Sequence, residues 1–332
     1  MNHIPITDIQ GIRFGNAQNQ QAMTGVTVVL FDRPNTGGID ISGGGPASRE
    51  TGLLSPLSNP NSLNALVLSG GSAFGLDAAT GVMGYLEEHH MGYHVLNTTI
   101  PLVCQSCIFD LGLGDGTTRP DAAMGYAACV DAEGNHPRSG IVGAGTGAAV
   151  GKVCGIGQGE KSGIGYAALE VNGLQVGAVA VVNAFGDIFD HQTGQKLAGM
   201  RTPDRTAYTS AAQALYQQQE PQPAGANTTL GAVFTNAAFS QAEMNKIASM
   251  ARAAFGRCIN PVGTMIDGDT IYAFSLGEVP ADISAVGALA AEALAFAIED
   301  AVKSSKMEED KFLGLICGEW PDFTDRSIVS PV

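Results

Sequence analysis

Tyr216-Gln-Gln-Gln-Glu-Pro-Gln-Pro-Ala-Gly-Ala226 has no apolar period, carries two prolines, and stops at Asn227-Thr-Thr-Leu230, where a β-pattern begins and runs on through Gly231 to Thr235. Polar, proline-bearing stretches without periodicity read as exposed linkers. A linker that empties into a buried strand is open to two readings. It is an ordinary loop between elements, or it is a processing site that leaves Thr228 as a new terminus at the head of the strand.

On either side, β-rich apolar runs alternate with helical patterns. Val26–Leu30, Ala65–Ser69, Tyr166–Val171 and Val176–Val182 are flanked by Gly or Asn turns and predict strands. Leu76, Ala79, Met83 and Leu86 recur at helical spacing between Ser72 and Glu88. Ser240-Gln-Ala-Glu243 is a capping box, and the helix it opens carries Met244, Ile247, Ala251 and Phe255 before Gly256 closes it. Ile283 to Val302 is almost wholly apolar, but Glu292, Gly287 and the Glu299-Asp300 end argue for a buried helix over a membrane span. Strands buried on both faces and alanine-rich helices predict sheets covered by helical layers.

The 332 residues are 45% hydrophobic and only 15% charged, with 44 glycines, which predicts a large core and many tight turns. A net charge of −15 opposes binding to nucleic acid at long range. Met1 to Ile12 is polar and mixed, and the six cysteines are scattered; a cytoplasmic protein with reduced thiols is the expectation. Cys104-Gln-Ser-Cys107 has redox spacing, yet no second pair matches it, so small buried residues are the simpler account. From Lys306 the chain changes character. The charged run Lys306-Met-Glu-Glu-Asp-Lys311 opens a tail, 306–332, that holds Trp320 and reads as peripheral.

Gly43-Gly-Gly-Pro46 and Gly70-Gly-Ser-Ala-Phe-Gly75 are glycine-rich loops, and the second joins a strand to a helix. Such a junction can offer backbone N–H groups to a ligand, which makes Gly71 and Ser72 candidate substrate-binding residues. Nucleotide motifs fail in detail. Gly151-Lys152 ends like a P-loop, but Thr146 and Val153 stand where Gly and Ser/Thr belong. Close packing of backbone around a cleft explains the glycines better. His89, His90 and His94 lack a clear metal-ligating partner set and fit a helix end. No Gly-x-Ser-x-Gly elbow is present, so a His-dependent serine triad is unsupported. No metal and no cofactor are expected.

Six segments in fixed order carry a resemblance: Gly70–Gly75, Ile108-Phe-Asp-Leu-Gly112, Arg119-Pro-Asp-Ala-Ala-Met-Gly125, Val142-Gly-Ala-Gly-Thr-Gly147, Asn227-Thr-Thr-Leu230 and Asp267-Gly-Asp-Thr-Ile-Tyr272. From about Thr7 to Ser305 the chain resembles the DmpA-like peptidases, which include L-aminopeptidase/D-esterases, β-peptidyl aminopeptidases and nylon-oligomer endohydrolases. The resemblance implies one αββα sandwich of the N-terminal-nucleophile type over residues 1–305. It implies self-cleavage at Asn227–Thr228 into chains 1–227 and 228–332, and a homotetramer of the resulting αβ units. The implied substrate is a small peptide or amide with a free amino group, with neither nucleic acid nor membrane as partner.

The residue types suit that chemistry. A Thr hydroxyl is a weak nucleophile and needs a base. As an N-terminus, Thr228 would carry its own base, an α-amine of pKa roughly 8. The resemblance places Asn183 of Val181-Val-Asn-Ala184 as oxyanion donor, against the plainer reading of a turn residue. Asp267 and Asp269 lie two apart and would share a face of an extended strand. In the nylon-hydrolase branch an Asp-x-Asp at this place orients the nucleophile, and Lys152 matches a lysine near it; an Asp-Gly turn and a surface lysine are the plainer readings. Two other functions remain open: an acyltransferase like the ornithine acetyltransferases, whose Ala-Thr-Met-Leu junction is absent here, and a binding protein that never matures.

Overall fold

Alternation along the strands sorts side chains onto two faces. In the computed structural model, which describes residues 1–59, 62–218 and 227–317, each face meets a different partner. Among these residues one sheet has five strands, in the order Ile12–Asn19 (β2), Thr24–Phe31 (β3), Ala65–Ser69 (β6), Val103–Cys107 (β7) and Ala47–Arg49 (β5). The other has six: Asn2–His3 (β1), Ile164–Val171 (β8), Leu174–Asn183 (β9), Thr228–Ala237 (β10), Thr270–Val279 (β11) and Thr36–Ile41 (β4). Most neighbours are antiparallel; β6–β7 and β10–β11 are parallel.

The middle of the molecule is where the sheets meet. Val29, Phe31, Leu66 and Leu68 of the smaller sheet pack there against Val179, Val181, Leu230, Ala232, Phe234, Tyr272 and Phe274 of the larger. Aromatic rings dominate this layer: Phe14 meets Phe234 edge-on at 5.8 Å, and Phe234 stacks on Phe274 at 5.9 Å. Fully burying such a side chain contributes about 1.5–3 kcal/mol. The neighbours in sequence point the other way. Val26, Val28, Leu30 and Val67 face helices Ala78–Glu88 (α1) and Ala122–Ala132 (α2). Val176, Ala178, Ala180, Val182, Ile271 and Ala273 face Gln241–Ala251 (α3), Ala253–Cys258 (α4) and Ile283–Lys303 (α5). The result is an αββα sandwich. Its helices lie close to the sheets because the contact points are small: a Cβ on Gly165 would stand 2.2 Å from the Ala297 carbonyl oxygen of α5.

Ala65–Ser69 forms as expected, and the other strands extend past one or both of their predicted ends. The helix expected from Ser72 begins with a 3-10 turn, Ser72–Asp77, before α1. The capping box of Ser240 and Glu243 is present, but the chain turns at Arg252, dividing the expected helix into α3 and α4. α5 is the buried apolar helix, and no helix among the described residues is long and apolar enough to cross a membrane. Cys104 and Cys107 lie on β7, buried and unpaired; burial pushes both thiols up to about 12, which makes them unreactive. His89 ends α1 with Nδ1 against the Tyr85 carbonyl, and His94 lies on a separate short strand, Tyr93–Val95, so these imidazoles share no helical face.

The segment set apart as a tail is docked over its described part. Helix Glu309–Leu313 (α6) buries Phe312 beside Met23, Leu113 and Ala149. Arg205 pairs with Glu309 at 3.0 Å, and Ile316 bridges to Leu113. A charged run concealed this contact because its apolar residues, Phe312 foremost, are few among the charges. Residues 219–226 of the linker, and 318–332 with Trp320, lie outside the described residues.

Candidate active site

Thr228 heads β10 and stands in antiparallel register with Asn183, the last residue of β9. By strand alternation both share the inter-sheet side with Leu230 and Val181, at one end of the sandwich. Both are buried, Thr228 at 3% and Asn183 at 1% exposure. In the uncut chain the Thr228 hydroxyl donates to the Asn227 carbonyl oxygen at 2.5 Å.

The Asn183 amide is oriented from its oxygen end. Oδ1 accepts from the Ala149 N–H at 3.0 Å and from Lys152 Nζ at 2.7 Å, and Lys152 also reaches the Asn183 carbonyl at 3.2 Å. Nδ2 then donates to the Phe109 carbonyl at 2.8 Å, using one of its two hydrogens. Phe109 follows β7, so this bond ties the two sheets together at the site.

Loop 263–269 completes the surround. Asp267 Oδ2 accepts from the Thr264 N–H at 3.0 Å and hydroxyl at 2.6 Å. Asp269 accepts the Thr229 N–H at 2.6 Å on one oxygen and the Gly263 N–H at 2.9 Å on the other. It therefore holds the residue after Thr228, not the Thr228 hydroxyl. Asn227 bridges Asp267 in parallel register, and its carbonyl accepts the Gly268 N–H at 2.8 Å. Gly45 N–H bonds the Asp267 carbonyl at 2.9 Å, and a Cβ on Gly43 would stand 2.4 Å from the same oxygen. Dense backbone packing accounts for this glycine loop, as its sequence suggested.

The charges perturb one another strongly. Burial pushes the Lys152 ammonium down to about 7, against the pull of Asp267, Asp110 and Asp269. Burial, then the charge of Asp267, raises Asp269 to about 7. Asp267 is raised too, chiefly by burial and against its bonds from Thr264 and the charge of Lys152. Groups poised near neutrality are what acid–base chemistry requires.

Two residues went unassigned in the sequence. Asp110 is raised to about 6 by burial; it accepts the Gly71 N–H and the Thr24 hydroxyl, both at 2.7 Å. Buried Lys161 is pushed down to about 7 by desolvation and donates to the Gly145, Ala148 and Ser162 carbonyls. The signal for Asp110 was a lone acid just past the end of an apolar strand, within Ile108-Phe-Asp-Leu-Gly112. Gly71 and Ser72 adjoin the site only through Asp110, and their N–H groups are engaged, the first by that carboxylate and the second by the Ile108 carbonyl. The five residues Thr228, Asn183, Asp267, Asp269 and Lys152 are brought together; Gly71 and Ser72 sit one layer away.

The chain is similar along most of its length to known proteins. Residues 5–311 match the model of peptidase family S58. An uncharacterized aminopeptidase of Mycobacterium tuberculosis (strain ATCC 25618 / H37Rv) is 38% identical, over 88% of this chain and 92% of its own length. A 6-aminohexanoate-oligomer endohydrolase of Paenarthrobacter ureafaciens is 29% identical, over 89% and 85%. Among solved structures, the L-aminopeptidase D-Ala-esterase/amidase of Ochrobactrum anthropi, described as a variant of the Ntn hydrolase fold, superposes with a TM-score of 0.66 at 16% identity, over 90% of this chain and 86% of that one. A Burkholderia sp. β-aminopeptidase gives 0.64 at 19% identity, over 93% and 92%. With its family model matched along nearly the whole chain, the protein belongs to peptidase family S58 and is a peptidase or amidase.

Proposed function

We propose that the chain cuts itself at Asn227–Thr228 and then hydrolyses small amides or peptides bearing a free amino group through an acyl-enzyme on Thr228. The observation that carries this reading is the Thr228 hydroxyl, 2.5 Å from the carbonyl oxygen of its own preceding peptide and paired in register with Asn183.

In maturation, Thr228 Oγ adds to the Asn227 carbonyl carbon, the C–N bond breaks, and the hydroxyl proton goes to the departing amine. Water then cleaves the Asn227–Thr228 ester, leaving an Asn227 carboxylate and a Thr228 with free α-amine and restored hydroxyl. In turnover, that amine accepts the hydroxyl proton as Oγ attacks the substrate carbonyl and hands it to the departing amine as the C–N bond breaks. Water then hydrolyses the Thr228 ester, releasing the acid and restoring the hydroxyl. The second hydrogen of Asn183 Nδ2 meets the developing oxyanion, while Lys152 and Ala149 hold the amide in that orientation. Asp269 fixes the strand through the Thr229 N–H, and Asp267 fixes loop 263–269. Gly71 and Ser72 act from one layer out, Gly71 by holding Asp110 through its N–H. The αβ units assemble as homotetramers in the cytoplasm. Exposed Tyr93, Leu96 and Ile100 on one hairpin support assembly, and six unpaired thiols support a reducing compartment.

Denaturing mass spectrometry and N-terminal sequencing test this directly. The smaller fragment should begin Thr-Thr-Leu-Gly; a chain that stays at 34.1 kDa after long incubation sinks the proposal. Light scattering that finds only the single-chain mass would remove the tetramer alone.

A further inference from the structure

We infer that the backbone N–H of Gly268 is the oxyanion donor of the self-cleavage step, leaving Asn183 to serve turnover. This rests on the self-cleavage proposed above. The carbonyl to be attacked in maturation is that of Asn227, and the Gly268 N–H points at its oxygen from 2.8 Å. As Thr228 Oγ adds to the carbon, the negative charge collects on that same oxygen. A donor already in place stabilises it without rearrangement. The Thr228 hydroxyl also bonds this oxygen, so swinging from oxygen to carbon is the movement that starts the reaction.

The surrounding ladder is built to hold this bond and little else. The pairing of β10 with β11 begins only at Leu230 and Thr270. Between that pair and the Asn227–Asp267 bridge, the Thr229 N–H goes to the Asp269 side chain. Asp267 and Asp269 thus pin the backbone on either side of Gly268, and the residue between them presents its N–H. Its being glycine has a steric reason. A Cβ there would lie 2.6 Å from Thr228 Oγ and 3.0 Å from the Gly45 carbonyl oxygen, so any side chain would displace the nucleophile. The bond is made to the carbonyl that self-cleavage attacks, which ties the donor to that step.

The test replaces Gly268 in the full chain by glycolic acid through nonsense suppression, exchanging the N–H for an ester oxygen and leaving every side chain in place. Self-cleavage of the freshly made protein should slow at least about tenfold, toward the 10²–10³ that one oxyanion donor supplies. The cleaved fraction should turn over an amide substrate within about threefold of wild type. Asn183→Ala should show the reverse bias, with turnover the more damaged. Cleavage of the folded ester chain at the wild-type rate overturns the role of Gly268, whereas a wild-type chain that never cuts overturns self-cleavage itself. Hydrogen exchange at the Gly268 amide decides the matter even if the ester chain does not fold. Exchange should be slow in uncut Thr228→Ala, where the Asn227 carbonyl holds this N–H. Exchange there as fast as in an unprotected amide would show that the N–H is not held on the carbonyl under attack, and the inference falls.

Discussion

Two clusters of buried charge lie against the six-stranded sheet, and they are built on opposite plans. On the helical side, His191 is clamped by α5: Nδ1 against Glu299 at 2.5 Å and Nε2 against Glu292 at 3.0 Å. Lys303 and Arg257 satisfy the remaining carboxylate oxygens at 2.8 and 3.0 Å. Around Thr228, at the end of the sheet, polar atoms are left over. Asn227 Oδ1 and Thr229 Oγ1 are buried without a hydrogen-bond partner among the described residues. Lys152 and Asp269 are pushed toward neutrality from opposite directions. Burial of charge alone therefore does not mark chemistry. A closed network holds helices together; an incompletely satisfied one, set against a reactive bond, is where protons can move.

The sharpest way to break this contrast is Thr228→Ala. It should leave one uncut chain with no measurable turnover, read by mass spectrometry and by release from an amino-acid p-nitroanilide the wild type accepts. Residual activity would move the nucleophile elsewhere. Next, Asn183→Ala should lower kcat by roughly 10²–10³ with a smaller change in KM, because the charge it meets develops only in the transition state. Lys152→Met should be milder, about 10- to 100-fold in kcat, since it frees one of the two donors that orient Asn183 Oδ1. Asp269→Ala should slow self-cleavage and turnover together, as both depend on the strand end that the Thr229 N–H anchors. An Asp269→Ala effect confined to KM would show that this carboxylate binds substrate.

Much of the scaffold could be read from the chain, because its causes are local. Val28 and Val29 go to opposite cores by the period of two, and Ser240 caps α3 through a bond three residues away. The gathering of site residues had causes that are not local. Asn183 meets Thr228 through a strand pairing between distant segments, and a family resemblance stood in for that register. That Asp269 takes the Thr229 N–H could not be read, since Asp-x-Asp spacing gives a shared face and no partner. Asp110 is marked only by its place just past an apolar strand, and a single acid there names no role. Docking of α6 is hard to read because Phe312 and a few apolar residues around it stand amid charged neighbours.

The smallest effect concerns the closed cluster and sharpens the contrast from its other side. His191→Ala should leave kcat and KM within about twofold of wild type, since no step uses an imidazole. Its cost should appear in stability, and with a particular pH dependence. Burial alone would lower the pKa of His191, but bonds and charge from Glu292 and Glu299 outweigh it, so the value is raised above 6.5. A raised histidine pKa means that the folded state holds the proton more tightly than the unfolded chain does. That stabilisation is fully present below about 6.5, the unfolded value, and is lost as pH rises through the folded one. The Tm difference between wild type and His191→Ala should thus be widest near pH 6, on the order of a few degrees, and narrow in alkaline buffer. A gap that widens with pH would mean the ring is held neutral. A loss of turnover with an unchanged melt would place chemistry in the cluster that the geometry assigns to holding α5.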